Sequence, residues 1–179
     1  LDQDQIKRLV GKLTDLEELA DIIIIDTGAG ISPSVMEFLL ASPETIVVTT
    51  PEPTSVTDSY ALLKALSMNE GYNKDECTIK IVANRVESEN EGRNLYEKLN
   101  AVVSKFLGIK LEYLGSVPQD SSVRKAVMKQ KPVTIVYPAS SAARHFKRIA
   151  ADLLGNENDV PENKKGIRSY FKNVFARKM

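Results

Sequence analysis

Cysteine is nearly absent: Cys77 stands alone in 179 residues. A disulfide framework and a cysteine-based metal site are both excluded within one chain. Cys77 itself reads as a small core residue beside a strand. Histidine is as scarce, with His145 the single example. Without a second histidine or a cysteine pair it reads as surface or packing. Charge of one sign is missing too, since Lys plus Arg and Asp plus Glu both number 24. Global charge therefore gives no reason to expect a nucleic-acid protein, although local clusters still could. No apolar run approaches the roughly 20 residues that span a bilayer. The start, Leu1-Asp2-Gln3-Asp4, has neither the basic opening nor the apolar stretch of a signal peptide. It also lacks an initiator Met, so a position inside a longer protein is expected.

What is present alternates between two periodicities. Ile6, Leu9, Val10, Leu13, Leu16 and Leu19 recur at helical spacing over residues 4–20. Ile22 to Ile25 form a short β-branched run ahead of Gly28, which predicts a strand buried on both faces. Further strands are expected at Thr45–Thr50, Thr78–Ala83 and Leu111–Val117. Helices are expected near Thr54–Glu70, 91–107 (stopped by Gly108), 120–130 and 139–154, the last with Pro138 at its start. Strands separated by helices of this length imply βαβ units, hence an α/β fold with a mostly parallel sheet and helices on both faces. In such sheets ligands gather at the carboxyl ends of the strands. Those ends fall at Asp26–Gly30, Thr49–Pro53, Asn84–Arg85 and Val117–Asp120. A chain of this length suits one such domain, covering residues 1–154.

Four apolar strand residues followed by Asp26 would place a carboxylate at the mouth of the sheet. Such a carboxylate can order Mg²⁺ and its water ligands beside phosphates. Gly28 and Gly30 permit close backbone approach, so an N–H there could sense a γ-phosphate. The bland alternative is a strand and a tight turn. Asn84 carries a donor and an acceptor together, matching the N6 and N7 edge of adenine. Pro118 offers a flat apolar surface to a ring. A solvated turn is the alternative at Asn84-Arg85.

Asp26-Thr27-Gly28-Ala29-Gly30 resembles the Walker B and switch II element of the MinD/ParA-type P-loop ATPases. The likeness continues through Val48 to Ser55 (VTTPEPTS), Asn84-Arg85-Val86, Val117-Pro118-Gln119-Asp120 and Val123 to Val127 (VRKAV). It covers about residues 4–154 and is strongest toward the flagellar-number-regulating, FlhG-type branch. The resemblance implies an ATP-dependent switch that binds ATP or ADP with Mg²⁺ and dimerises with ATP. Asp26 would hold the Mg²⁺ shell, with Gly28 and Gly30 as the γ-phosphate sensor. Asn84 would read adenine, with Arg85 flanking it and Pro118 and Asp120 lining the other side. Implied partners are a flagellar GTPase of the signal-recognition-particle type and flagellar switch-complex proteins. The implied location is cytoplasmic, peripheral at the inner face of the cell membrane. Other branches of the family give the alternatives of a septum-site-determining MinD-type ATPase and a ParA-type DNA-partitioning ATPase. For the latter, Arg124, Lys125, Lys129, Lys131, Arg144, Lys147 and Arg148 could form a basic surface. An iron–sulfur carrier of the related Mrp type is excluded by the missing cysteine pair.

The deviant Walker A loop of that family is not found, since no glycines are arranged as G-x-x-x-x-G-K-[ST]. Nor is the switch I aspartate. Both are expected upstream of Leu1, and without the loop's lysines residues 1–179 should not hydrolyse ATP and should bind ATP or ADP with Mg²⁺ only weakly or not at all by themselves, the nucleotide belonging to the longer parent protein.

Residues 155–165 (GNENDVPENKK) read as a polar linker. In the segment 166–179, Ile167, Tyr170, Phe171, Val174 and Phe175 fall on one helical face. Arg168, Lys172, Arg177 and Lys178, with Lys164 and Lys165, supply six positive charges and no acid follows Glu162. An aromatic face with a basic rim suits an anionic membrane surface. DNA fits less well, because phosphate contact needs no apolar stripe. A helix docked on its own domain is the bland alternative.

Overall fold

The computed structural model describes residues 20–155. The expected helix at 4–20, the linker from 156 onward and the amphipathic segment 166–179 lie outside the described residues.

Three parallel strands form the sheet: β1 (Glu44–Thr49), β2 (Thr78–Val86) and β3 (Leu111–Pro118), in the order β1-β2-β3. Around them run α1 (Pro33–Ala41), α2 (Pro53–Ser67), α3 (Glu89–Leu107), α4 (Ser121–Met128), α5 (Val133–Val136) and α6 (Ser141–Leu154). The helices begin where local chemistry satisfies their first N–H groups. Ser32, Ser88 and Ser140 each cap a helix through the side-chain oxygen, to Val35, Glu91 and Ala143. The α6 start is thus set by Ser140, two residues after the Pro138 expected to mark it. Helix α3 ends at Gly108, whose φ of 66° is the left-handed turn that glycine takes without penalty.

The two faces of the sheet are covered unequally. On one, Val47, Ile79, Ile81 and Leu111 pack against apolar residues of α1, α2 and α3, including Leu39, Leu63, Leu66, Leu99 and Val103. Helix α3 comes closest at Gly92. A β-carbon there would sit 2.8 Å from Ser116 Cβ and 2.9 Å from the Tyr113 hydroxyl. On the other face Val82, Leu114 and Val117 meet Ala142 and Ile149 of α6. This helix does not extend over β1, whose Ile46 and Val48 stay 43% and 57% exposed. Lys80, in register with Ile46, is buried and paired to Glu44 at 3.1 Å.

The α/β expectation and three of the four strands hold. Ile22–Ile25 is the correction: these residues form no strand, and Ile22 and Ile24 are 56% and 85% exposed. A doubly buried strand needs a hydrogen-bonding neighbour and cover on both sides. Among the described residues the four isoleucines have neither. Helix α1 is absent from the sequence-based expectations, and α5 is a single turn beyond the expected helices.

Candidate functional site

The carboxyl ends of the three strands open on one side of the sheet, and their loops meet there. Asn84 and Arg85 lie near the end of β2, just before its last residue Val86, and Arg85 takes the left-handed backbone with φ 57°. That conformation is uncommon for a non-glycine residue and needs support. Asn84 supplies it, accepting a hydrogen bond from the Arg85 backbone N–H at 2.9 Å through Oδ1. The Arg85 side chain then reaches both neighbouring loops. Nε donates to Gln119 Oε1 at 3.2 Å, and Nη1 lies 3.3 Å from Glu52 Oε1. The loop after β3 is itself held to β2, because the Gln119 N–H donates to Val86 O at 2.9 Å.

Asp120 fixes the next turn. Its Oδ1 accepts from the Ser122 N–H at 2.8 Å, capping α4, and its Oδ2 accepts from the Ala142 N–H at 3.1 Å, at the start of α6. One carboxylate thus joins two helix N-termini, where the peptide dipoles favour negative charge. The Ala142 N–H, then that of Ser122, holds the Asp120 pKa below the ordinary carboxylate value.

The loop after β1 adds hydroxyls. Ser55 Oγ accepts from the Thr50 N–H at 3.0 Å and lies 3.1 Å from Thr49 Oγ1. The Thr50 hydroxyl is buried and has no hydrogen-bond partner among the described residues. A buried polar atom left unpaired costs free energy, and such atoms in native sites commonly await a ligand or water.

Four of the expected residues, Asn84, Arg85, Pro118 and Asp120, are therefore brought together at one edge. Asp26, Gly28 and Gly30 are not: they lie on the exposed segment that precedes α1, outside the sheet. Gly30 there has φ 100°, a conformation open to glycine. Glu52, Gln119 and Thr50 belong to the edge, although the sequence alone does not mark them as contacts. His145 lies apart from these residues, with Nδ1 2.9 Å from Ser141 O and Nε2 3.3 Å from Glu89 Oε1. Arg148 donates to the same Glu89 oxygen and lowers its pKa.

The donor set fits the base end of a nucleotide. The Asn84 amide, the Arg85 guanidinium and the Pro118 ring are groups that recognise and sandwich a heterocycle. The orphaned Thr50 hydroxyl is a further polar group beside them. Among the described residues no cluster of three or more His, Cys, Asp or Glu is placed to hold a metal ion. No helix of the described residues is long and apolar enough to cross a membrane.

No family model matches the chain. It is similar to the antiactivator FleN of Pseudomonas aeruginosa, 39% identical over 163 residues, covering 91% of this chain and 56% of FleN. It is also similar to the flagellum site-determining protein YlxH of Helicobacter pylori, 34% identical over 160 residues, covering 87% of this chain and 52% of YlxH. The chain thus spans about half the length of these relatives. Among solved structures, the septum site-determining protein MinD of Pyrococcus horikoshii, complexed with Mg-ADP, superposes with a TM-score of 0.62 at 21% identity, covering 86% of this chain and 60% of that one. The parallel sheet with helices on both faces is the fold of that protein. By these sequence relationships and this fold, the chain belongs to the MinD/ParA-type P-loop ATPase family, beside flagellar regulators of the FlhG type.

Proposed function

We propose that this chain supplies the base-binding and membrane-targeting parts of an ATP-dependent dimerising switch that regulates flagellar number or placement. The observation that carries the reading is the convergence of Asn84, Arg85, Pro118 and Asp120 at the carboxyl edge of the sheet. It occurs in a chain whose relatives are flagellar regulators. In the switch, ATP favours dimerisation and attachment, and hydrolysis reverses both. Asn84 and Arg85 bind the base, with Pro118 against the ring and Asp120 holding the loop that carries it. Mg²⁺ with ATP supplies charge neutralisation at the phosphates. Asp26 orders the ion's water shell, and Gly28 and Gly30 present backbone N–H groups to the γ-phosphate. Residues 166–179 bind the anionic membrane surface through the stripe of Ile167, Tyr170, Phe171, Val174 and Phe175, with Arg168 and Lys172 on its rim. A signal-recognition-particle-type GTPase and flagellar switch proteins are the partners of the assembled switch.

The test is made in the full-length protein. Asp26→Ala removes Mg²⁺-dependent hydrolysis and leaves the domain folded. Turnover within about threefold of wild type, a difference under 1 kcal/mol in barrier, removes the metal role. Deleting 166–179 abolishes binding to anionic vesicles and leaves the melting temperature nearly unchanged. Binding unchanged by the deletion removes the tail from the reading.

A second reading, DNA binding of the ParA type, has one observation in its favour. From Ser121 to Ala151 there are seven Lys and Arg and no acid, and all seven are exposed. Binding of the domain without 166–179 to non-specific DNA, weakening steeply with salt, would establish it.

A further inference from the structure

We infer that Glu52 and Gln119 are positioning residues that hold the Arg85 guanidinium across the base end of the site, where a purine ring stacks on it. This rests on the nucleotide reading given above and adds two residues to it.

Three features of the edge lead there. Arg85 is in the left-handed region, and its backbone N–H is fixed by Asn84 Oδ1 at 2.9 Å. The turn therefore sets where the side chain starts. The guanidinium is then gripped at two positions, Nε by Gln119 at 3.2 Å and Nη1 by Glu52 at 3.3 Å. The hydrogen bond from Nε to Gln119 lies in the guanidinium plane, and the Glu52 contact adds an ion pair at Nη1; a guanidinium held at its edge keeps its faces available to stack on aromatic rings. The two partners come from different loops, so one side chain ties together the ends of all three strands.

Glu52 is the informative member. It occupies the N-cap of α2, where a side chain ordinarily serves the helix, yet it makes no capping hydrogen bond. Its carboxylate goes to Arg85 instead. As a stabilising pair the contact is weak, because both side chains are more than half exposed, at 56% and 58%. Its consequence is the placement of the guanidinium. Arg85→Lys keeps the charge but loses the planar fork, and so separates placement of a flat group from simple electrostatics.

The experiment titrates the full-length protein with Mg-ADP, followed by NMR of the backbone amides and of the Arg85 Nε–H. In wild type the Nε–H resonance is slowed in exchange, and Mg-ADP perturbs Asn84, Arg85 and Gln119. The double variant Glu52→Gln with Gln119→Ala loses the Nε–H resonance and weakens Mg-ADP about fivefold, with the amide spectrum elsewhere preserved. Arg85→Lys gives the same loss. Mg-ADP binding in the double variant within twofold of wild type, or full rescue by Arg85→Lys, overturns the positioning role and leaves the nucleotide reading standing. Absence of any perturbation of wild type by Mg-ADP overturns the nucleotide reading and the clamp with it.

Discussion

Among the described residues, one face of the sheet is closed by three helices, whereas the other is covered mainly by α6. On the first, Ile79, Ile81 and Leu111 are 1%, 0% and 0% exposed. On the second, Val82 is buried under α6 while its register partner Val48, one strand away, is 57% exposed. The residue types are alike, so apolar side chains alone do not set burial. What differs is how much helix the chain returns over each face. The crossovers from β1 to β2 and from β2 to β3 both put their helices on the first face. This is a consequence of the single hand of parallel crossovers. Among the described residues the second face is covered by helix from the chain beyond β3. The site sits at the rim shared by both faces. Its tightest anchor, Asp120, is what joins α6 to the end of β3.

The largest expected effect is on the closed face. Ile81→Ala removes a side chain with no exposure from the middle of the central strand. It should cost about 2–5 kcal/mol, the range for deleting a buried aliphatic group that leaves a cavity. Urea unfolding of residues 1–179 measures it. A loss below about 1 kcal/mol would mean that this face is as loosely covered as the other.

An intermediate effect is expected where the open face is held at its end. Asp120→Ala strips the cap of α4 and the acceptor for Ala142 at the start of α6. A cap of this kind is worth about 1–2 kcal/mol. The depressed pKa sets the sign of the pH dependence. Asp120 contributes stability that is fully present above its unfolded value of about 3.9, and that is lost as pH falls through the lower folded value. Wild type should therefore lose its advantage over Asp120→Ala as pH drops below about 4, and keep it from about pH 5 to 7. An advantage that does not diminish at all as the pH falls below the unfolded value of about 3.9 would show that the variant acts through packing and not through the carboxylate.

The sequence carried what depends on neighbours along the chain, and failed where the neighbours come from elsewhere. Thr78–Ala83 and Leu111–Val117 are legible because apolar-rich runs between turn signals pair wherever a partner is present. Ile22–Ile25 has the same signal and no strand, since its edge and faces are unpartnered among the described residues. Helix α1 is hard to read because a nine-residue helix gains most of its stability from packing, here of Val35, Met36 and Leu39 on the core. In the site, Asn84, Arg85, Pro118 and Asp120 are visible at the ends of expected strands. Gln119 and Glu52 are not, because each meets Arg85 across a gap of more than thirty residues that only the parallel register closes. The Ser32-Pro33 pair at the start of α1 is the signal that was there to be used.

The smallest effect is expected from the open face itself. Val48→Thr keeps the β-branch and the strand propensity and adds a hydroxyl to a side chain already more than half in solvent. At a buried position the same change places a polar group without a partner and costs about 1–3 kcal/mol. At an exposed one it should move stability by no more than about 0.5 kcal/mol. Val82→Thr, the same substitution one strand across under α6, gives the internal reference, because Val82 is 6% exposed. The comparison is a difference between two variants of one chemistry on one face, so errors in the unfolded state largely cancel. If Val48→Thr costs as much as Val82→Thr in urea unfolding of residues 1–179, then β1 is covered in solution and the two faces are alike. If the costs separate as expected, the cover that α6 and Val123 of α4 give this face ends before β1.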